Sequence, residues 1–224
     1  MNDGFFLVTE LDLEPDDQET SRAEYISPNE IALLLRGRPN RMGVAARKAV
    51  PAVTGGTQPG HAAYDIGLML VLHAHPECRF TWARLIVNLS STPDAVIQDM
   101  APSEVEDVAV EVETKVGAGL KFATVLKAVD IEVNPELARK RTVHFPKVLA
   151  SGTGFRKAYW DFSASGDDYL HVNRELRLLV TAPAGIPVTA SFTIHAEARM
   201  NDFNGLIRLR GKKGHLDFDV TLVE

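Results

Sequence analysis

Apolar and polar residues alternate along much of the chain after residue 64, which is the pattern of strands that bury one face and expose the other. The clearest example is Val188–Met200, where apolar residues fill every second position and Thr, Ser, His, Glu and Arg fill the others. Residues 176–182 alternate in the same way, and the proline- and glycine-containing segment 183–187 predicts a turn. The sequence therefore predicts an antiparallel hairpin here.

Two more hairpins are predicted on the same grounds. One has its tip at Lys212 and Lys213, which two glycines flank, and it places apolar residues on one face. Its predicted partners are Leu209 with Leu216, Ile207 with Phe218, Val220 with Gly205, Leu222 with Phe203, Arg208 with Asp217, and Arg210 with His215. The other joins residues 66–74 to residues 79–89, and its first strand, apolar on both faces, is expected inside a sheet.

The remaining pattern completes the prediction of the fold. Further strands are predicted near residues 105–116, 120–133, 141–149 and 156–163, with single helical turns near residues 93–98 and 135–140. The total is roughly nine or ten strands, spaced by turns as in a sandwich. The sequence thus predicts a mainly β protein, an antiparallel β-sandwich with a short N-terminal helix and an arm.

Residues 1–64 are predicted to form that arm, and residues 65–224 the β-sandwich domain. The arm's clearest element is a helix over residues 28–36, with Ser27 as its cap, Pro28 at its first position and Gly37 at its end. Its apolar stripe consists of Ile31, Leu34 and Leu35. A segment rich in Gly and Thr at residues 53–60 predicts a flexible connection to the sandwich.

Composition is that of an ordinary globular protein, with 45% hydrophobic and 24% charged residues among 224. The net charge of −6 argues against nucleic acid as a partner. Acidic residues crowd residues 10–19 and basic residues crowd residues 36–48, so the two blocks either pair with each other or with a partner, or remain solvated.

The location predicted from the sequence is the cytoplasm. Cys78 is the single cysteine, which excludes an intramolecular disulfide and fits a reducing compartment. The N-terminal residues lack the features of a signal peptide, and the longest apolar run is far short of the ~20 residues of a membrane helix. A membrane is therefore not expected as a partner.

The best candidate metal site is formed by His73, His75 and Cys78 at the tip of the third hairpin. Two histidines at i and i+2 on a strand share a face, and imidazole with thiolate suits zinc or copper. The alternative is that His73 packs on Phe80 without a metal, and this interpretation is preferred. No cofactor is expected, with zinc as the alternative.

No catalytic set emerges from the other polar residues. His195 and Glu197 have the spacing of a deaminase motif, but that chemistry needs two more cysteines than the chain contains. Ser163, Ser165, Asp167, Asp168 and His171 fall close together without a nucleophile elbow. The sequence therefore argues against an enzyme.

Three functions remain open. The preferred one is a non-enzymatic binding or assembly module that acts on a protein partner or on its own copies through sheet edges, loops or the arm. A candidate surface is the basic tip of Arg208, Arg210, Lys212 and Lys213, although lysine near an edge also serves solubility. The first alternative is a metal-dependent enzyme at the His73 site.

The second alternative is a membrane-acting β protein whose residues 105–133 rearrange into an inserted hairpin. Glu111, Glu113 and Lys115 count against it, because charges that point outward from such a hairpin would meet lipid.

Overall fold

The computed structural model describes residues 4–15, 28–52, 57–105, 110–116, 122–128, 147–164, 170, 172, 175–200, 203–211 and 220–223. Within these residues the chain is mainly β, with one short helix, α1 (Pro28–Leu34). The strands are β1 (Phe6–Pro15), β2 (Arg41–Ala46), β3 (Val50–Pro51), β4 (His61–His73), β5 (Cys78–Asn88), β6 (Val96–Ala101), β7 (Glu104–Val105), β8 (Val110–Val116), β9 (Phe122–Ala128), β10 (Lys147–Ser151), β11 (Lys157–Ser163), β12 (Glu175–Pro183), β13 (Val188–Met200), β14 (Phe203–Gly211) and β15 (Val220–Val223).

Thirteen of the described strands form one antiparallel sheet in the order β6-β12-β4-β2-β1-β14-β13-β5-β11-β10-β7, with β3 beside β4 and β15 beside β13. We call β6, β12, β4, β2 and β3 the A half, and the strands from β14 to β7 together with β15 the B half. β1 joins the halves, because residues 6–12 pair with β2 and residues 13–15 pair with β14. The two halves enclose a common core.

The sheet is nearly closed and barrel-like. Its edge strands β6 and β7 follow each other in the chain. The amide of Ile97 in β6 donates to the carbonyl of Phe155 (3.0 Å), and the Gly154 amide donates back to Ile97 (2.7 Å), in the turn between β10 and β11. The predicted nine- or ten-stranded sandwich is therefore corrected to one curved sheet. Period-two patterning shows which face is buried, but it does not show whether two layers are separate.

The core confirms the predicted alternation. Along β13 every second residue is buried, and Phe192 and Ile194 are 3% and 0% exposed. The largest side chain of the core is Trp160, which is fully buried and donates its indole N–H to the carbonyl of Pro102 (3.1 Å). Each large apolar side chain that is removed from water contributes about 1.5–3 kcal/mol, so this interior is the main source of stability.

The strands of the three predicted hairpins exist, but their pairing was predicted wrongly. β12 pairs with β4 and β6 in the A half, whereas β13 pairs with β5, β14 and β15 in the B half. β4 pairs with β12, β2 and β3, whereas β5 pairs with β11 and β13. Both connections therefore cross the core from one half to the other.

The C-terminal strands also differ from the prediction. β15 pairs with β13, with Val220 opposite Ala190, rather than with β14. Glu14 of β1 occupies the position opposite Arg210. The predicted tip, residues 212–219, lies outside the described residues.

Residues 1–64, which the sequence suggested as an arm, supply β1, β2 and β3 to the sheet. Opposite charges of the two predicted blocks meet there, since Arg41 Nε lies 2.9 Å from Asp12 Oδ1. Helix α1 confirms the predicted helix, and its residues Ile31 and Leu34 pack against the core. Gly37 follows it with a φ of 77°, a conformation that favours glycine.

Two predicted helical turns have different outcomes. The first, at residues 93–98, overlaps β6, which begins at Val96. The second, at residues 135–140, lies outside the described residues.

Candidate functional site

β8 and β9 form a two-stranded antiparallel sheet of their own among the described strands. Val110 lies opposite Ala128, Thr114 opposite Thr124 and Val116 opposite Phe122, so the ladder is continuous over seven residues of each strand. We call this pair of strands the hairpin. A two-stranded sheet is marginal by itself in water, and its separation from the large sheet makes it the first candidate for movement.

The register places all the charged residues of the hairpin on one face. The residues on the other face are Val110, Val112, Thr114, Val116, Phe122, Thr124, Leu126 and Ala128. The charged face holds Glu111 opposite Lys127, Glu113 opposite Val125, and Lys115 opposite Ala123. The hairpin is therefore amphipathic over both strands. The charges that counted against membrane insertion share one face and leave the other without charge.

The outer face of the A half is less exposed to solvent than the surface of a sheet usually is. Residues on this face alternate with those of the core, yet several of them are buried. Five of these, which we call face A, are Ala45 (7% exposed), Ala63 (4%), Asp65 (6%), Leu179 (0%) and Thr181 (7%). The outer face of a sheet is commonly open to water, so other atoms of the chain cover these positions; one of them is Gln98 Nε2, which donates to Thr181 Oγ1 at 2.7 Å. Among the described elements of the hairpin, β9 lies beside β6 at the edge of this half.

Two ion pairs cross face A. Arg177 donates from Nε to Asp65 Oδ1 at 3.1 Å and from Nη2 to Asp65 Oδ2, which is a bidentate contact. Arg47 Nη2 lies 2.7 Å from Glu175 Oε1, directly over Gly67. Burial of charge is costly unless the charge is paired, so these pairs allow the face to be covered.

The predicted metal ligands do not converge. Cys78 is buried and its sulfur lies 3.5 Å from the amide nitrogen of Asn40. His73 points to the opposite side of the sheet, where its Nδ1 lies 2.7 Å from Glu10 Oε1, and the Glu77 amide donates to His75 Nδ1. Among the described residues no group of three His, Cys, Asp or Glu side chains is placed to hold a metal ion.

The physical reason lies in the connection between β4 and β5. The Cys78 amide donates to the His75 carbonyl (2.8 Å), so the expected two-residue tip forms. Because β5 enters the B half, however, Cys78 faces the core with Phe80 instead of facing His73. Asn40 holds this turn through a hydrogen bond from the His75 amide to its Oδ1 (3.0 Å).

Two members of the predicted basic tip are described, and each lies beside a glutamate. Arg208 Nε donates to Glu197 Oε1 at 3.0 Å, and Arg210 is 6% exposed with Nε 3.8 Å from Glu14 Oε1. Both arginines therefore contact glutamates of neighbouring strands on the outer face of the sheet. Lys212 and Lys213 lie outside the described residues.

The serine, histidine and aspartate residues that fall close together in the sequence lie mostly outside the described residues. Of these only Ser163 is described, opposite Trp82 on β5. His195 and Glu197 lie on the outer face of the B half. No described helix is long and apolar enough to cross a membrane.

No protein family model matches the sequence, and no curated protein matches it. Solved structures do resemble it. One, titled "Pore forming protein", has 8% identity and a TM-score of 0.34, over 94% of this chain and 92% of that chain. Another is the Clostridium perfringens NetB toxin in the membrane inserted form, with 7% identity and a TM-score of 0.32, over 92% of this chain and 91% of that chain.

These titles contradict three predictions from the sequence, which are corrected here. The cytoplasmic location, the description as a soluble β-sandwich of the cytoplasm, and the exclusion of a membrane partner are not retained. Self-association is compatible with the likenesses.

Proposed function

We propose that this protein acts on membranes by inserting the β8–β9 hairpin into a bilayer, where several copies complete one barrel. The observation that carries the proposal is the hairpin register, which separates an uncharged face from a charged face over both strands. The proposal does not depend on the likenesses to solved structures.

A strand that spans a membrane as part of a barrel alternates lipid-facing apolar residues with polar residues that face the lumen. The hairpin has this alternation, with Glu111, Glu113, Lys115 and Lys127 on the face that would line the lumen. A spanning strand needs about 9–11 residues, whereas seven residues of each strand are described. In the sequence the alternate positions between the two strands stay apolar, at Ala118 and Leu120, whereas beyond the other ends Val108 is apolar and Asp130 is charged.

A single hairpin cannot remain alone in lipid. Its two outer edges carry unpaired backbone N–H and C=O groups, and each such group costs several kcal/mol where water is absent. Closure removes the edges, and membrane barrels contain at least about eight strands. At two strands from each copy, roughly four or more copies are needed, and cyclic symmetry supplies the repeated contact.

Face A supplies a place for the hairpin before insertion. Leu179 is 0% exposed on the outer face of the A half, away from the common core, and β9 lies beside the same half. We propose that the uncharged face of the hairpin covers face A in the free protein. Insertion then exchanges this contact for lipid, while the thirteen-stranded sheet keeps its own core.

The test uses a pair of adjacent cysteine substitutions, Thr114→Cys and Lys115→Cys, in a Cys78→Ala background, each labelled with an environment-sensitive dye. With vesicles of phosphatidylcholine and cholesterol that contain calcein, the dye at residue 114 should shift to the blue and be quenched by nitroxide lipids, while the dye at residue 115 should not. Calcein should leak over the same time course.

Residue 115 is the matched control, because it differs from residue 114 only by facing the other way in the same strand. An equal response of both dyes would contradict the proposed barrel geometry. Absence of leakage from vesicles of any composition at high protein concentration would contradict the membrane function itself.

A further inference from the structure

The charged face of the hairpin carries different charges along its length. In the row nearest to the ends that lead to β7 and β10, Glu111 lies opposite Lys127, so this row holds one charge of each sign. Glu113 is the charged residue of the next row, and Lys115 is that of the row nearest to the connection between the two strands. From the large sheet toward this connection, the rows therefore carry no net charge, one negative charge and one positive charge in each copy.

In the proposed barrel each row becomes a ring, because cyclic symmetry places the same residue of every copy at the same height. Glu113 then contributes a ring of carboxylates to the lumen, and Lys115 contributes a ring of ammonium groups beside it. Rings of carboxylates favour cations in a pore, and rings of lysines favour anions. Each ring alone would therefore select ions of one sign.

The two rings are close enough to act together on one ion. Residues two apart on a strand are separated by about 6.8 Å, and a tilt of about 40° reduces this to about 5 Å along the axis of the pore. The Debye length is about 10 Å at 0.1 M salt. Because the spacing is shorter than the Debye length, an ion in the lumen is subject to both rings at once, and their fields oppose each other.

We propose that Glu113 and Lys115 determine which ions pass the pore, as two adjacent rings of opposite charge that offset each other. This rests on the proposed function, since the rings exist only in an assembled barrel. The permeant class is small ions of both signs, with little preference for either. Because each copy contributes one residue to each ring, the loss of either ring leaves the other unopposed, and the pore then selects ions by sign.

Other charged positions of the hairpin keep this balance. Glu111 and Lys127 occupy directly opposite positions, where side chains of opposite charge on neighbouring strands interact favourably. In the sequence, the alternate positions beyond the three rows include Asp107 and Lys121, again one charge of each sign. Acidic and basic residues are therefore equal in number at these positions.

Single channels of the full-length protein in planar bilayers of phosphatidylcholine and cholesterol provide the test. The reversal potential is measured in a twofold gradient of KCl around 0.1 M, because K⁺ and Cl⁻ have similar mobilities in water. We expect a reversal potential close to zero, which corresponds to a cation-to-anion permeability ratio within about twofold of one.

Two neutral variants should shift this ratio in opposite directions. Glu113→Gln leaves the lysine ring unopposed and should lower the ratio at least threefold, whereas Lys115→Gln should raise it at least threefold. The double variant Glu113→Lys with Lys115→Glu exchanges the rings and should keep the ratio near one. Thr114→Ser is the matched control, because residue 114 lies between the two on the uncharged face. At 1 M KCl, where the Debye length is only about 3 Å, both shifts should become smaller.

Modification of assembled pores separates the effect of charge from an effect on folding. Glu113→Cys in the Cys78→Ala background should have the selectivity of Glu113→Gln. A thiosulfonate reagent that attaches a sulfonate to residue 113 should return the reversal potential toward zero. A reagent that attaches a trimethylammonium group should move it further from zero.

The outcomes distinguish the two proposals. Channels that are strongly selective in the unsubstituted protein, or that shift in the same direction in Glu113→Gln and Lys115→Gln, overturn the opposed rings but leave membrane insertion standing. A reversal potential that does not respond to a sulfonate attached at residue 113 has the same consequence. Absence of channels from the unsubstituted protein would contradict the proposed function itself, and the rings with it.

Discussion

The two outer faces of the sheet carry the same ion pair in different surroundings. On each face an arginine uses Nε and Nη2 to hold both oxygens of an aspartate, Arg177 with Asp65 on face A and Arg84 with Asp161 on the outer face of the B half, which is face B. The side chains of the first pair are 13% and 9% exposed, and those of the second pair 35% and 17%. In the first pair, the opposite charges offset the cost of burying each charge on face A. In the second pair, the guanidinium is accessible to solvent.

This difference shows that the function of a charged pair depends on what lies above it. Beside the pair on face A lie Ala63 and the fully buried Leu179, which form a dry surface suited to another layer of protein. Beside the pair on face B lie Trp82, Tyr159 and a cavity. The first pair is therefore shielded from water, whereas the second is accessible to it.

The largest expected effect is from removing one partner of each pair. Asp65→Asn should lower the free energy of unfolding by about 3–5 kcal/mol, because Arg177 would remain buried without its counter-charge. Asp161→Asn should lower it by about 1 kcal/mol, because water reaches Arg84. Urea denaturation of both variants checks the comparison. Equal losses would mean that the two faces are equally accessible to water.

A matched truncation of apolar residues is expected to have the next largest effect. Leu179→Ala should cost about 3 kcal/mol as a fully buried residue, and Ile86→Ala about 1 kcal/mol as a partly exposed one. If the hairpin covers face A, Leu179→Ala should also speed calcein leakage severalfold, which Ile86→Ala should not do. A slower leak in Leu179→Ala would contradict the proposed storage of the hairpin on face A.

Gly67 tests the packing of the second ion pair on face A. A Cβ at this position would lie 2.5 Å from Arg47 Nε and 2.8 Å from Glu175 Oε1, so both side chains must shift. Gly67→Ala should lower the free energy of unfolding by about 1–2 kcal/mol. Gly4→Ala is the control, since nothing lies within 4 Å of its added Cβ, and it should change stability by less than about 0.5 kcal/mol.

The smallest effect is expected at the margin of the A half. His73 Nδ1 and Glu10 Oε1 lie within hydrogen-bond distance, at 2.7 Å, but their side chains are 63% and 28% exposed. Glu10→Gln should therefore change the free energy of unfolding by no more than about 0.5 kcal/mol. A loss above about 1 kcal/mol would show that the contact between His73 and Glu10 is less accessible to water than the exposure of the two side chains indicates.

The sequence predicts the elements of this fold better than their partners. The alternation in Val188–Met200 identifies β13 with its buried face, because period two depends only on local geometry. The same pattern cannot show that β12 and β13 lie in different halves. Turns such as the one at residues 183–187 connect strands across a core as readily as within a hairpin.

The candidate sites could not be predicted from the sequence, for a similar reason. Glu111 and Lys127 share a face of the hairpin only through the register of β8 with β9, although the alternation in each strand was a usable signal. The burial of Leu179 depends on atoms that lie over the outer face of the sheet. Arg84 contacts Asp161, and the two residues belong to strands that are far apart in the chain. Contacts of this kind leave no local periodicity.

The position of β1 has a consequence for biosynthesis. This strand is translated before the other strands of the sheet, yet its last three residues pair with β14, far later in the chain. The β1–β14 ladder must therefore wait, with open backbone groups, until the strands between them have been translated. Such long-range closure is slow, so a nascent chain that stalls before β14 should depend on chaperones, while the finished chain should not.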